Sequence, residues 1–302
     1  MADRRILFVH AHPDDESIGS GVTMARYVAE GAHVTLITCT LGEQGEVLIP
    51  ELAHLAADRD DNLAPTRLAE LDAAMALLGV TDYRRLGGDF AYRDSGMIWH
   101  ESGLATAGDE IDPRSFWAAD LTQAATDLVE VIREVRPQVL VTYDEIGNYG
   151  HPDHIQAHRV AMYAAQLAAA SSYRRDLGEA WDIAKIYWTA MSASFARSGL
   201  AALRDSGLDT GDFGFDPDNL PPIFCEDVDI DARIESPAHI QAKLAAMKAH
   251  ATQITPDGTF FAMGMDLAAL QWASEYHRLV KGNRGPVGDD GFEHDLFAGL
   301  GV

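Results

Sequence analysis

The first apolar run, Ile6–Val9, continues through His10 and Ala11 to a closing His12 without polar alternation over its first four residues, and so Ile6–His12 predicts a buried strand. A helical period follows over Ser17–Gly31, with Ile18, Val22, Ala25 and Ala29 on one face and Gly31 as its stop. His33–Thr40 predicts a second strand, and the glycines and acids of Gly42–Pro50 a loop. Thr66–Leu78 repeats the helical period with Leu68, Leu71, Met75 and Leu78 inward, before Gly79. Tyr83–Leu86 predicts a short strand. Phe116–Val135 predicts a long helix that Pro137 ends, Gln138–Tyr143 a fourth strand, and Pro152–Ala170 a helix with proline in its first turn.

Strand–helix–strand units repeated in this way imply an α/β fold: a Rossmann-like, mostly parallel sheet with helices on both faces. After about residue 180 the pattern loosens. Ile183–Met191 predicts another strand, Gly207–Pro222 a loop or linker, and Ile234–His250 and Asp266–Val280 two helices. The expected organisation is a catalytic core over 1–180. A smaller C-terminal lobe, 181–302, completes the sheet and pocket within one continuous domain.

The tripeptide His-Pro-Asp occurs twice, at 12–14 and 151–153, each time just beyond a predicted strand. Each copy has a second possible metal ligand three residues after its histidine: Asp15 after His12, and His154 after His151. In open parallel sheets ligands bind beyond the carboxyl ends of the strands, so the two turns are expected to share one site. His12, Asp15 and His154 would give a zinc ion two imidazoles and a carboxylate, with a position left for water. A bound zinc brings its water's pKa towards neutrality and polarises a carbonyl. Asp14, beside the ligand Asp15, is placed to take that water's proton. His151 is expected to protonate a leaving amine or steady an oxyanion, with Asp153 fixing its tautomer and Tyr149 donating to the oxyanion. Metal-assisted amide hydrolysis suits this set.

Other readings compete. His158, four residues after His154, is a rival third ligand, whereas His10 reads as a hydrogen-bonded core histidine. His33, His54, His100, His239 and His294 read as surface groups, and Cys39 as a small buried hydrophobe. Two histidines and a carboxylate also make the facial triad of non-haem iron oxygenases, and Fe(II) is a possible occupant of a hydrolase site. A Rossmann-like binding protein is disfavoured because no Gly-x-Gly-x-x-Gly follows the first strand.

The strings His12-Pro-Asp-Asp-Glu16 and Gly150-His-Pro-Asp-His154 resemble the PIG-L/LmbE-like family of zinc-dependent de-N-acetylases. Thr38–Val47, Arg93–Met97, His250–Gln253 and Asp295–Leu300 are similar to the branch that serves mycothiol biosynthesis. The resemblance implies one zinc per chain on His12, Asp15 and His154, with Asp14 as general base. It makes His151 the acid or electrostatic partner, Tyr149 a mobile carbonyl-polarising group, and Asp153 the residue that tunes His151. It also implies an N-acetylglucosaminyl-inositol substrate, with Arg67 and Asp94 on sugar hydroxyls and Glu46 near the inositol. An amidase of mycothiol S-conjugates would share every one of these catalytic residues and differ in the pocket, and a deacetylase of other N-acetylglucosaminyl compounds is a broader alternative within the family.

Composition narrows the setting. A net charge of −24 argues against a nucleic-acid partner or an anionic membrane. No stretch reaches the length of a membrane span, and the first apolar run is too short for a signal segment. Two cysteines, Cys39 and Cys225, make no disulfide framework, and a reducing cytoplasm is the expected location.

Overall fold

The computed structural model describes residues 3–205, 218–255, 261 and 272–302. The chain opens β1 (Arg5–His10), α1 (Asp15–Ala29), β2 (His33–Thr38), α2 (Ala64–Leu78) and β3 (Asp82–Arg85). A small antiparallel hairpin, β4 (Ile98–Trp99) with β5 (Ala105–Thr106), precedes α3 (Leu121–Val135) and β6 (Val139–Thr142). Then come α4 (Gly147–Gly150), a single turn, α5 (Pro152–Ala169), β7 (Lys185–Ser192), α6 (Ala193–Asp205) and β8 (Phe224–Cys225). β9 (Ala232–Glu235), α7 (Ile240–Ala249) and β10 (Ser274–Lys281) complete the order.

The sheet runs β3-β2-β1-β6-β7-β10-β9, with β8 against the end of β7. β3 through β7 pair in parallel, whereas β10 and β9 join antiparallel. Alternation along β1 sends Ile6 and Phe8 to one face and Leu7 and Val9 to the other, all four without solvent exposure. At about 2 kcal/mol for each large apolar side chain buried, the strand is firmly anchored, and with it the turn that follows. One face is covered by α3 and α5, the other by α1, α2 and α7.

From β1 the chain winds outward to β3, then returns across the sheet to lay β6 on the other side of β1. That reversal is a topological switch point, and crevices form at such points beyond the strand ends. Both His-Pro-Asp turns lie there, after the neighbouring strands β1 and β6.

Several expected elements differ. The helix expected from Phe116 begins at Leu121, where the Asp120 side chain accepts the Gln123 N–H at 2.8 Å as its cap. The helix expected over Ile234–His250 is two elements, β9 and α7, parted at Ser236-Pro237 because proline cannot donate to a helix or a central ladder. The helix expected over Asp266–Val280 is the strand β10 from Ser274, while residues 266–271 lie outside the described ones. Of the loop expected over 207–222, residues 207–217 likewise lie outside them. Among the described residues no helix is long and apolar enough to cross a membrane.

Candidate metal centre

Beyond β1, residues 11–14 turn sharply into α1. Asp14 occupies the N-cap position but has φ 123° and ψ −35°, and its side chain makes no cap hydrogen bond. That backbone turns the carboxylate away from the helix and against Arg67, whose Nη2 donates to Oδ2 at 2.9 Å. Burial pushes the Asp14 carboxyl up to about 6; Arg67 opposes that rise and the neighbouring Asp15 adds to it. A group ionised near neutrality yet able to take a proton suits a general base.

Asp15 is held by two donors and faces two imidazoles. The backbone N–H of His12 and the Tyr143 hydroxyl both donate to its Oδ2, at 2.9 and 2.8 Å. His12 Nδ1 lies 3.3 Å from Oδ2 and His154 Nε2 lies 3.4 Å from Oδ1. Neither ring nitrogen of His154 has a hydrogen-bond partner among the described residues, although both are buried. Two imidazoles and a fixed carboxylate form the donor set of a catalytic zinc site, and buried nitrogens without partners fit a metal ligand.

The second turn comes from β6. His151 is the N-cap of α5, and its Nδ1 accepts the Asp153 N–H at 3.1 Å, with Pro152 in the first helical turn. The proton of the neutral ring therefore sits on Nε2. Burial, with the nearby rings of His12 and His154, pushes its pKa down to about 2. His151 is thus a neutral hydrogen-bond donor near neutrality, and of the two roles expected from sequence this suits oxyanion stabilisation better than protonation of a leaving amine.

His12, His151 and His154 bring ligand atoms within 4.8 Å of one another, as do His12, Asp94 and Asp153. Asp153 departs from expectation. Its carboxylate accepts from the backbone N–H of Ser95 at 2.9 Å and from the Ser95 hydroxyl, and lies 3.2 Å from His12 Nε2. The His151 tautomer is set by the backbone of Asp153, and the side chain orients His12 instead. Burial disfavours charge on His12, yet Asp94, Asp15 and Asp153 together hold its pKa above the ordinary value.

Arg67, expected on a sugar hydroxyl, is buried and already engaged with Asp14, the Pro13 carbonyl and the Gly42 carbonyl. Asp94 is also buried, accepting the N–H groups of Gln44 and Gly96 at 3.0 and 2.8 Å. Glu46 is exposed at the mouth, and Tyr149 is half-buried with its ring 5.0 Å from that of His154. All three, with Arg67, line a cavity of about 950 Å³ that opens over His12, Asp15 and His154. Its far wall is apolar and comes from the C-terminal part, with Met191, Phe195, Phe224 and Tyr276 among its residues.

The rival ligand His158 is excluded from this cluster. Its Nδ1 lies 3.0 Å from the Tyr143 carbonyl oxygen and its ring packs on Trp188. His10 is a core histidine between Tyr143 and Ser20, and Cys39 is buried. His33, His54, His100 and His294 are exposed; His239 is half-buried against Ser236. Sequence reasoning missed Tyr143, whose hydroxyl bridges the Ala11 N–H and Asp15 and whose ring stacks 4.1 Å from that of His154. The available signal was its place as the last residue of a predicted strand. Ser95 was missed as well, hidden inside a loop.

Residues 7–165 match the family model described as PIG-L, GlcNAc-PI de-N-acetylase. Two relatives, from a Nocardioides species and from Kribbella flavida, are 63% identical over 299 and 301 residues, covering 99% of this chain and of theirs. Both are named 1D-myo-inositol 2-acetamido-2-deoxy-alpha-D-glucopyranoside deacetylase. In fold the chain is similar to the N,N'-diacetylchitobiose deacetylase of Pyrococcus horikoshii, with TM-score 0.61 and 16% identity over 92% of this chain and 84% of that one. On the family match and these relatives, the chain belongs to the PIG-L family of de-N-acetylases.

Proposed function

We propose that this chain removes the acetyl group from 1-O-(2-acetamido-2-deoxy-glucopyranosyl)-myo-inositol, a step of mycothiol biosynthesis, releasing acetate and a free amine in the cytoplasm. The observation that carries this reading is the full-length similarity to relatives bearing that deacetylase name. The site is compatible with it. His12, Asp15 and His154 would hold a divalent ion, zinc first among the candidates. When bound, such an ion acidifies water and polarises the amide carbonyl.

The chain's own groups do the rest. Asp14 accepts the proton of the attacking water, held at its post by Arg67. His151, neutral and with Nδ1 occupied, donates from Nε2 to the oxygen that becomes negative. Tyr149 is the second donor to that oxygen. As the carbon–nitrogen bond breaks, the proton gained by Asp14 passes to the departing nitrogen, so the base ends the cycle ready for the next water. Asp94 and Glu46, on the cavity wall, are the proposed contacts for sugar and inositol hydroxyls.

The test is acetate release from N-acetylglucosaminyl-inositol by chelated and zinc-reloaded protein, without oxygen, beside a mycothiol S-conjugate. Faster turnover of the first substrate, dependent on metal and indifferent to oxygen, is expected. Preference for the conjugate would transfer the chain to the amidase reading, and a need for oxygen and reductant would end the hydrolase reading.

A further inference from the structure

Asp14 is strained. Its φ of 123° lies well outside the 36° to 63° spanned by the other positive-φ residues that carry a Cβ among those described. Such backbone persists only where its surroundings over-determine it. An aspartate at a helix N-cap ordinarily turns its side chain onto the first free N–H groups; here the carboxylate faces the cavity instead.

The restraint comes from Glu16. Its Oε2 reaches back to accept the Asp14 N–H at 2.9 Å, satisfying the N-cap backbone from the second helical position as a capping box does from the third. Oε1 accepts from the Ser17 hydroxyl at 2.5 Å and lies 2.8 Å from His250 Nε2. Glu16 and His250 are both fully buried, and neither lines the cavity. His250 caps α7, far along the chain, and begins a strut. Two residues on, Thr252 donates its N–H and hydroxyl to Glu70, both at 2.7 Å. Glu70 lies one turn after Arg67 on α2, and Arg67 grips the Pro13 carbonyl and the Asp14 carboxylate. The first motif is therefore fixed at its backbone by one arm of this strut and at its side chain by the other.

We infer that the buried Glu16–His250 pair is a positioning device: it holds the Asp14 backbone in the strained conformation that aims the base into the cavity. Its effect on turnover rests on the deacetylase reading above, whereas its effect on the backbone does not. Both residues act through Asp14 and touch no reacting atom. Glu16→Gln retains an acceptor for the Asp14 N–H; Glu16→Leu removes it.

Two measurements test this. In zinc-replete protein, Glu16→Leu should lower kcat by roughly 100-fold, the usual effect of a displaced catalytic group, with KM and zinc content near wild type. Glu16→Gln should recover most of the loss. Independently of turnover, Asp14→Gly should melt higher than Asp14→Ala, because glycine accepts this φ without strain. That gap should close when Glu16→Leu is added to both. Where Glu16→Leu does not fold, His250→Gln replaces it in both measurements. A gap that survives the loss of Glu16, or an unchanged kcat in folded, metal-loaded Glu16→Leu, overturns the inference. Wild-type protein that releases no acetate would refute the deacetylase reading alone, and the melting comparison would still judge the device.

Discussion

His154 Nε2 lies 3.4 Å from Asp15 Oδ1, and neither nitrogen of that ring has a hydrogen-bond partner among the described residues. The pair joins residues from the two distant motifs across the β1–β6 boundary. His154→Ala is expected to lose most bound zinc, and His158→Ala, which removes a contact to the Tyr143 carbonyl, to keep it. Metal per chain after dialysis decides between them. The reverse pattern would return the third ligand position to His158.

Asp14→Asn should keep its metal and lose turnover by about 10²- to 10⁴-fold, the usual size of a general base's contribution. The base works only when ionised, so with its carboxyl raised to about 6, kcat/KM should climb as pH passes upward through that region. Arg67 opposes the rise, so Arg67→Met should move this limb to higher pH. A limb that stays in place in Arg67→Met would mean that another group sets it.

Asp153 offers a division between two roles. Its carboxylate faces His12 Nε2 and Ser95, while only its backbone meets His151. Asp153→Asn should therefore weaken zinc affinity, by roughly 10- to 100-fold as for other residues that orient a metal-bound histidine. Competition with a coloured chelator measures this. Unchanged affinity with an altered pH profile would instead tie the side chain to His151.

Gly150 has φ 97°, and a Cβ placed there would fall on the Ala105 carbonyl oxygen of the β4–β5 hairpin. Gly150→Ala should cost about 1–3 kcal/mol of stability from backbone strain alone. It should also lower kcat, because His151 is the next residue. Urea unfolding beside steady-state kinetics checks both; a variant with wild-type stability would show that the hairpin yields freely.

The parallel core was legible because β1, β2 and β6 are apolar on both faces and α2 is closed by glycine and α3 by proline. β10 was not, for a physical reason. Its buried positions carry Glu275, which accepts from Lys243 Nζ at 2.7 Å and from the backbone of Val22 and Thr23, and His277. Hydrophobic periodicity cannot register a strand whose inward side chains are ionic or polar. The motif residues gathered as their spacing implied, since each follows a strand. Their partners, Tyr143, Ser95 and His250, are brought to the motifs by tertiary packing, so strand position and segment resemblance single out their neighbourhoods but not their contacts.

β1 and β6 are neighbours in the sheet, with Ile6 opposite Val139, yet four strands and three α-helices are made between them. The ion's proposed donors thus meet only after a chain closure of great length, among the slowest contacts for a polypeptide to make. Metal uptake by a refolding chain should accordingly trail helix formation, and no fragment ending before β6 could bind zinc at this centre. The architecture makes metal capture a late report that the whole core has assembled.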